Sequence, residues 1–223
     1  MKIKDLLALV FILPMFFSCG NQADDANDAD DADDAALSNA VVAEPSNEWQ
    51  SRYDKIETRD LPDNVIQLIG EGWMLVTAGK KESFNTMTAS WGGIAYIWER
   101  PSTLMFIRDS RYTYQFLQAE ESFTLSFFSE QYRGALRICG TKSGRDTDKI
   151  KEAGLTAIET PSLLMSFDEA RMIIECKKTL VQELDYANLT DAYKETIMEE
   201  SYNKEPTKHQ LFISEIINIW IKK

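Results

Sequence analysis

Between residues 83 and 93 the chain reads SFNTMTASWGG, with Thr86, Thr88 and Ser90 at every second position and Met87, Ala89 and Trp91 between them. Side chains alternate across a strand, so the three hydroxyls share one face at a spacing of roughly 6.5 Å, opposite the apolar row. A hydroxyl row of this kind faces either water or a ligand. Similar β-branched or large apolar runs predict strands at WMLVTAG, TLMFIR and SFTLSFF, around 155–158 and 170–181, and at HQLFISEIINIWI. Helical spacing appears in LPDNVIQLIG, with Asp63 as the expected cap and Gly70 as the stop, and again after Arg108 with Tyr112, Phe116 and Leu117. Two more helices are expected, one over SEQYRGALRICG with Tyr132, Leu136 and Cys139 on one stripe, the other over LTDAYKETIMEESY. A short helix near Lys149 would take Asp146 or Thr147 as its cap. Five to seven strands with short helices out of strict alternation predict a mainly β, α+β or barrel arrangement rather than a doubly wound sheet.

The pattern changes at the N-terminus. Lys2 and Lys4 precede twelve mostly apolar residues, Leu6 to Phe17, and then Ser18 and Cys19. That run suits a secretory signal core and is shorter than the roughly 20 residues of a membrane-spanning helix. The stretch FFSC resembles the lipobox of bacterial lipoproteins, with Phe16 at the usual leucine position, which implies cleavage after residue 18 and acylation of Cys19. Residues 19–48 carry Asp24, Asp25, Asp28, Asp30, Asp31, Asp33, Asp34, Glu44 and Glu48 without a Lys or Arg, so they read as a solvated, self-repelling tether. QADD after the cysteine resembles an acidic signal for export to the cell surface, or is simply spacer. The expected plan is a signal peptide at 1–18, a tether at 19–48 and one domain at 49–223. The protein would be lipid-anchored to the cell envelope at the outer membrane, touching membrane only through Cys19.

Composition then removes whole classes of chemistry. The net charge is −12, and nine of the negative charges sit in the tether, so nothing favours nucleic acid. The chain has one histidine, His209, and three cysteines, so a multi-histidine or cysteine-rich metal site is ruled out. Cys139 and Cys176 are expected to stay as buried free thiols. There is no G-x-S-x-G elbow, no phosphate-binding G-x-x-x-x-G-K-[ST] loop and no G-x-G-x-x-G turn. Glu199 and Glu200 point apart on a helix and read as a solvated face.

What remains is cationic. In IRDSRYT a strand ends at Arg108, and Ser110 is expected to cap a helix whose first turn holds Arg111. A cation there opposes the helix dipole, whereas an anion would be favoured by the dipole and the free N–H groups. SGRDTDK repeats the theme with Ser143, Gly144, Arg145 and Lys149, and two such loops can clamp a phosphate.

Taken in order, NTMTASWGG, RDSRYTY, FTLSFF, CGTKSGRDTDK and EAGLT resemble the flavin reductase-like family, whose fold is an FMN-binding split β-barrel with short peripheral helices, and in particular its flavoredoxin-like branch. The resemblance runs from about Asn64 to Val181 and resumes at His209 to Ile221. It implies a non-covalent FMN cofactor contacted by Asn85, Met87, Thr88, Ala89, Ser90 and Trp91, the hydroxyls of Thr88 and Ser90 addressing the ring's polar edge. Arg108, Ser110, Arg111, Tyr112 and Thr113 would serve the phosphate together with Ser143, Arg145 and Lys149. His209 would face the flavin or lie at the surface. Asp109, Ser214 and Ala95 depart from residues usual in the family, a proline and two glycines. The resemblance also implies a homodimer and no side-chain nucleophile. It leaves three readings: FMN-dependent electron transfer with an unidentified donor and acceptor, NAD(P)H-dependent flavin reduction, and flavin capture without catalysis. Export favours the first, because nicotinamide cofactors are not expected in quantity outside the inner membrane.

Overall fold

The computed structural model describes residues 46–202 and 208–223. The signal peptide, Cys19 and the tether up to residue 45 lie outside the described residues. Ser46 accepts from the Trp49 amide and caps α1 (Asn47–Arg52), so ordered structure begins within the segment read as tether. Among the described residues no helix is long and apolar enough to cross a membrane.

The fold is mostly β. Seven strands follow one antiparallel path, β3 (Ser83–Ala89), β2 (Met74–Lys80), β6 (Ser122–Phe127), β9 (Met172–Glu183), β10 (His209–Lys222), β5 (Arg100–Arg108) and β4 (Gly92–Ile97). The eighth, β1 (Tyr53–Ile56), pairs with β10 off this path, and the sheet is not closed. A separate hairpin joins β7 (Ala157–Glu159) to β8 (Met165–Phe167). Strand β10 carries the fold: it pairs with β5, β9 and β1, and its pairing with β9 is interrupted by irregularities at Ile213/Ser214 and Ile216/Asn218 that bend the ladder.

Period-two patterning sorts the side chains onto two faces. Met74, Val76, Met87, Met105, Ile107, Phe123, Leu125, Ile174 and Phe212 fill one core with Leu117 of α2 (Tyr112–Ala119). Leu75, Ile173 and Trp220 turn to the other face, where Trp49, Tyr53, Phe167 and α3 (Arg133–Thr141) pack. Burying such side chains stabilises the fold by about 1.5–3 kcal/mol each.

The helix caps depart from expectation. Asp63 does not cap its helix but grips Arg171 with two bonds of 3.0 and 2.7 Å. Asn64 accepts from the Ile66 and Gln67 amides instead, and the segment becomes a π-helical turn (Gln67–Glu71) rather than a helix ending at Gly70. Asp148, rather than Asp146 or Thr147, caps α4 (Lys149–Glu152). Strands β1, β4 and β8 and helix α1 had no counterpart in the sequence reading, whereas α5 (Asp191–Tyr202) appears where helical spacing put it. Cys139 and Cys176 are buried free thiols, and burial pushes them up to about 11 and about 12.

Candidate flavin site

Two adjoining cavities lie at the ends of β3 and β5. The first, of about 300 Å³, is lined by Met87, Thr88, Ala89, Ser90, Trp91, Phe106, Arg108, Arg111 and His209. The second, of about 190 Å³, is lined by Ser110, Arg111, Tyr112, Thr113, Ser143, Arg145 and Lys149 with the stretch 140–142. They share Arg111. Of the residues expected to contact the cofactor, only Asn85 lines neither cavity, and it acts one layer behind: its Nδ2 donates to Thr113 Oγ1 at 2.8 Å. Phe106, which the sequence reading left out, stands two positions from Arg108 on β5 and so on the same face, a period-two signal that was available.

The hydroxyl row of β3 finds its partners inside the protein. Thr86 Oγ1 lies 2.9 Å from Thr77 Oγ1, and Thr88 Oγ1 donates to the Leu136 carbonyl of α3 at 2.5 Å. Buried hydroxyls left without a partner are costly, so β2 claims that of Thr86 and the packing of α3 claims that of Thr88. The Thr88 hydroxyl is therefore committed to α3 even though the residue lines the first cavity. The two glycines after Trp91 differ in need. A Cβ at Gly92 would stand 2.4 Å from the Leu104 carbonyl oxygen, so β4 can lie against β5 only with glycine there, while Gly93 faces open space. Gly144 is constrained in the same way: its Cβ would lie 2.3 Å from Asn85 Oδ1, and this close approach folds the 143–148 loop onto the Asn85–Thr113 pair.

Trp91 stacks on His209, ring centroids 5.2 Å apart at 29°. His209 is buried, 3% exposed, so the surface alternative does not hold; it lines the first cavity, with its Nδ1 2.8 Å from the Tyr186 hydroxyl.

The second cavity is built from cations. Arg111, not Ser110, is the N-cap residue of α2, and no side chain caps that end, which leaves first-turn amide donors for another acceptor. Burial, reinforced by the neighbouring Arg108 charge, holds the Arg111 guanidinium below its usual range. Arg145 stacks its guanidinium 4.7 Å from the Tyr112 ring centre. Lys149 is 3% exposed and, among the described residues, reaches only the Cys139 and Lys142 carbonyls, at 3.4 and 3.3 Å. Its pKa falls to about 8, chiefly through desolvation, against an opposing effect of Cys139 and with a lesser lowering by Arg111. Neither cavity is lined by a carboxylate, and Asp109, Ala95 and Ser214 line neither. The anticipated negative charge of Asp109 at the phosphate site is thus absent from its wall.

Comparison with known proteins supplies the family. Residues 66–223 match the model of the flavin reductase like domain. No curated protein matches the chain in sequence. Among solved structures, flavoredoxin of Desulfovibrio vulgaris (Miyazaki F) is 25% identical, with 67% of this chain and 68% of that one covered and a TM-score of 0.51. An FMN-binding domain of a flavin reductases-like enzyme from Shewanella baltica is 17% identical over 76% of each chain, TM-score 0.54. An FMN-binding protein from Thermus thermophilus with bound p-hydroxybenzaldehyde is 18% identical, covering 76% of this chain and 82% of that one, TM-score 0.53. With more than half of the chain inside the family model and the split-barrel fold shared with these neighbours, the protein belongs to the flavin reductase-like domain family.

Proposed function

We propose that this protein binds FMN non-covalently across the two cavities and serves as an FMN-dependent electron carrier. The observation that supports it is the charge of the second cavity: Arg111, Arg145 and Lys149 line it, and none has an ion-pair partner among the described residues. A buried cation without a counter-charge, as Lys149 is, is unfavourable, and a phosphomonoester dianion is the ligand chemistry that relieves it and also satisfies the half-buried Arg111 and exposed Arg145. The first cavity, of about 300 Å³, reaches the range of small-molecule sites, roughly 300–1,000 Å³, and the second adjoins it. In this reading Arg111, Arg145, Lys149, Ser110, Ser143 and the first-turn amides of α2 hold the phosphate. Met87, Ala89, Ser90, Trp91 and Phe106 shape the wall for the ring, with Thr88 and His209 at its edge. Asn85 and Thr113 act from behind, keeping the 143–148 loop and the start of α2 in register. Bound there, the flavin supplies the redox chemistry; the protein supplies binding, orientation and electrostatics. The chain would act as a homodimer, and the leader, Cys19 and the acidic segment support an exported, lipid-anchored location.

The test compares FMN, FAD and riboflavin by fluorescence titration of the purified domain. FMN is expected to bind more than tenfold tighter than riboflavin, because riboflavin lacks the charge-assisted phosphate contacts. Equal affinity for the two would reject the phosphate clamp. Anaerobic mixing of the FMN complex with NADH and NADPH then separates electron transfer, in which neither bleaches it quickly, from nicotinamide-driven flavin reduction. Substituting Cys19→Ser should release the exported protein from the membrane fraction.

A further inference from the structure

We infer that Glu152 is a positioning residue for the second cavity: from α4, outside the cavity wall, its carboxylate takes Lys142 with one oxygen and Thr147 with the other, clasping both ends of the loop that presents Ser143 and Arg145 to an anionic ligand. That the ligand is a flavin phosphate rests on the reading above; the clasp does not.

The loop is short and folds about Ser143. It leaves α3 at Lys142, whose amide donates to the Ile138 carbonyl at 2.9 Å, and enters α4 through Thr147 and the N-cap Asp148. The Ser143 carbonyl accepts from the Asp146 and Thr147 amides at 3.1 and 3.3 Å, and its Oγ accepts from the Arg145 amide at 3.2 Å. With that acceptor position filled, the Ser143 hydroxyl keeps its own proton for another acceptor, and Ser143 lines the cavity.

The inner side of the loop is seated by close packing. A Cβ on Gly144 would lie 2.3 Å from Asn85 Oδ1 and 3.1 Å from the Tyr112 ring, and the Arg145 guanidinium stacks on the same ring. These contacts set how deep the loop sits; the spacing of its ends is set by Glu152, which reaches back 10 residues to Lys142 and 5 to Thr147. Glu152 is itself carried on a fixed frame, because its amide donates to the Asp148 carbonyl at 3.1 Å and Ile150 packs α4 onto the second core. The hydrogen bond from Lys142, and after it the one from Thr147, hold the Glu152 carboxyl below its ordinary range, so it is an anion when it binds them. Lys142 in turn offers its carbonyl to Lys149 Nζ at 3.3 Å, which ties the clasp to the buried cation of the cavity. An exposed ion pair of this kind adds little to global stability, so its effect falls on the loop rather than on the fold. A ligand that requires the ordered loop loses affinity in proportion to the fraction of molecules that have it. A loop in place about a third to a tenth of the time weakens binding about three- to tenfold.

Glu152→Ala is read first in the ligand-free protein, by amide hydrogen exchange followed by NMR. The Asp146 and Thr147 amides should exchange about threefold faster or more, while core amides such as those of Ile174 and Phe212 stay unchanged. Titrated with FMN, the variant should bind about three- to tenfold more weakly, but its affinity for riboflavin, which lacks the phosphate, should change by less than about twofold. Glu152→Gln, which keeps an acceptor for Thr147, should lie between. Inorganic phosphate, followed through the amide shifts of residues 143–145, should weaken in the same proportion as FMN. Unchanged exchange at Asp146 and Thr147 overturns the inference, as do equal losses for FMN and riboflavin, or unaltered affinity for both FMN and inorganic phosphate. A wild-type protein that binds inorganic phosphate but no FMN, with the phosphate weakened by Glu152→Ala, would sink the flavin reading and leave Glu152 in its role.

Discussion

Glu175 and Lys149 are both almost wholly buried, at 0% and 3% exposure, yet the protein treats them in opposite ways. Glu175 on β9 accepts from Ser162 Oγ at 2.6 Å, Asn218 Nδ2 at 2.6 Å and Trp220 Nε1 at 3.1 Å, so its carboxylate is satisfied by donors from two other parts of the fold. Lys149 meets two carbonyls at long range and no anion, and has Arg111 for a neighbour. One charge is part of the architecture; the other is held ready for something that arrives. Away from the cavities, Arg171 pairs with Asp63, and Lys222 meets Asp168. The contrast separates charge that builds a fold from charge that recruits a ligand.

That contrast can be broken by substitution. The largest effect is expected at Glu175→Ala, which strands three donors and should cost about 3 kcal/mol or more in chemical denaturation while leaving FMN affinity per folded molecule unchanged. Glu175→Gln, which keeps an acceptor, should recover part of the loss. Next, Arg111→Ala and Arg145→Ala should each weaken FMN binding by about 1.5–3 kcal/mol, Arg111 more than the exposed Arg145, with no comparable loss of stability in the ligand-free protein. Lys81→Ala, which removes a surface pair with Glu159, should leave titration unaltered.

The smallest and sharpest effect concerns Lys149. Its folded pKa of about 8 lies below the unfolded value of 10.5. Between those pH values the unfolded chain holds more protons, so stability rises with pH there, and below pH 8 the full penalty is present. Lys149→Met should therefore stabilise the ligand-free domain at pH 7 by about 1–3 kcal/mol, a gain that fades toward pH 10.5, while FMN affinity falls. Thermal melts of both proteins across pH 7–10 decide it; a destabilised variant at pH 7 would place Lys149 among the structural charges.

The sequence made the strands legible where hydroxyl and apolar residues alternate, as in β3, or where the run is strongly apolar, as in β10, and failed where neither signal is present. Strand β4 reads GGIAYI, with two glycines and no alternation, and is recruited only because Gly92 lets it approach β5. Caps misled because several polar residues are plausible candidates locally, and at Asp63 tertiary pairing with Arg171 decided between it and Asn64. In the site, the cationic loops could be read because arginine near a helix start runs against the dipole. Tyr186 could not, since nothing near it in the chain points to a histidine 23 residues away.

The seam between β1 and β10 has a mechanical meaning. Tyr53 pairs with Lys222, and the Lys223 amide donates to the Arg52 carbonyl. Tension arriving along the leading segment would peel this ladder rung by rung from Tyr53 toward Ile56, rather than shear all its bonds together. The first strand would thus act as a fuse, yielding before load reached β5 and the cavity walls at the opposite end of β10.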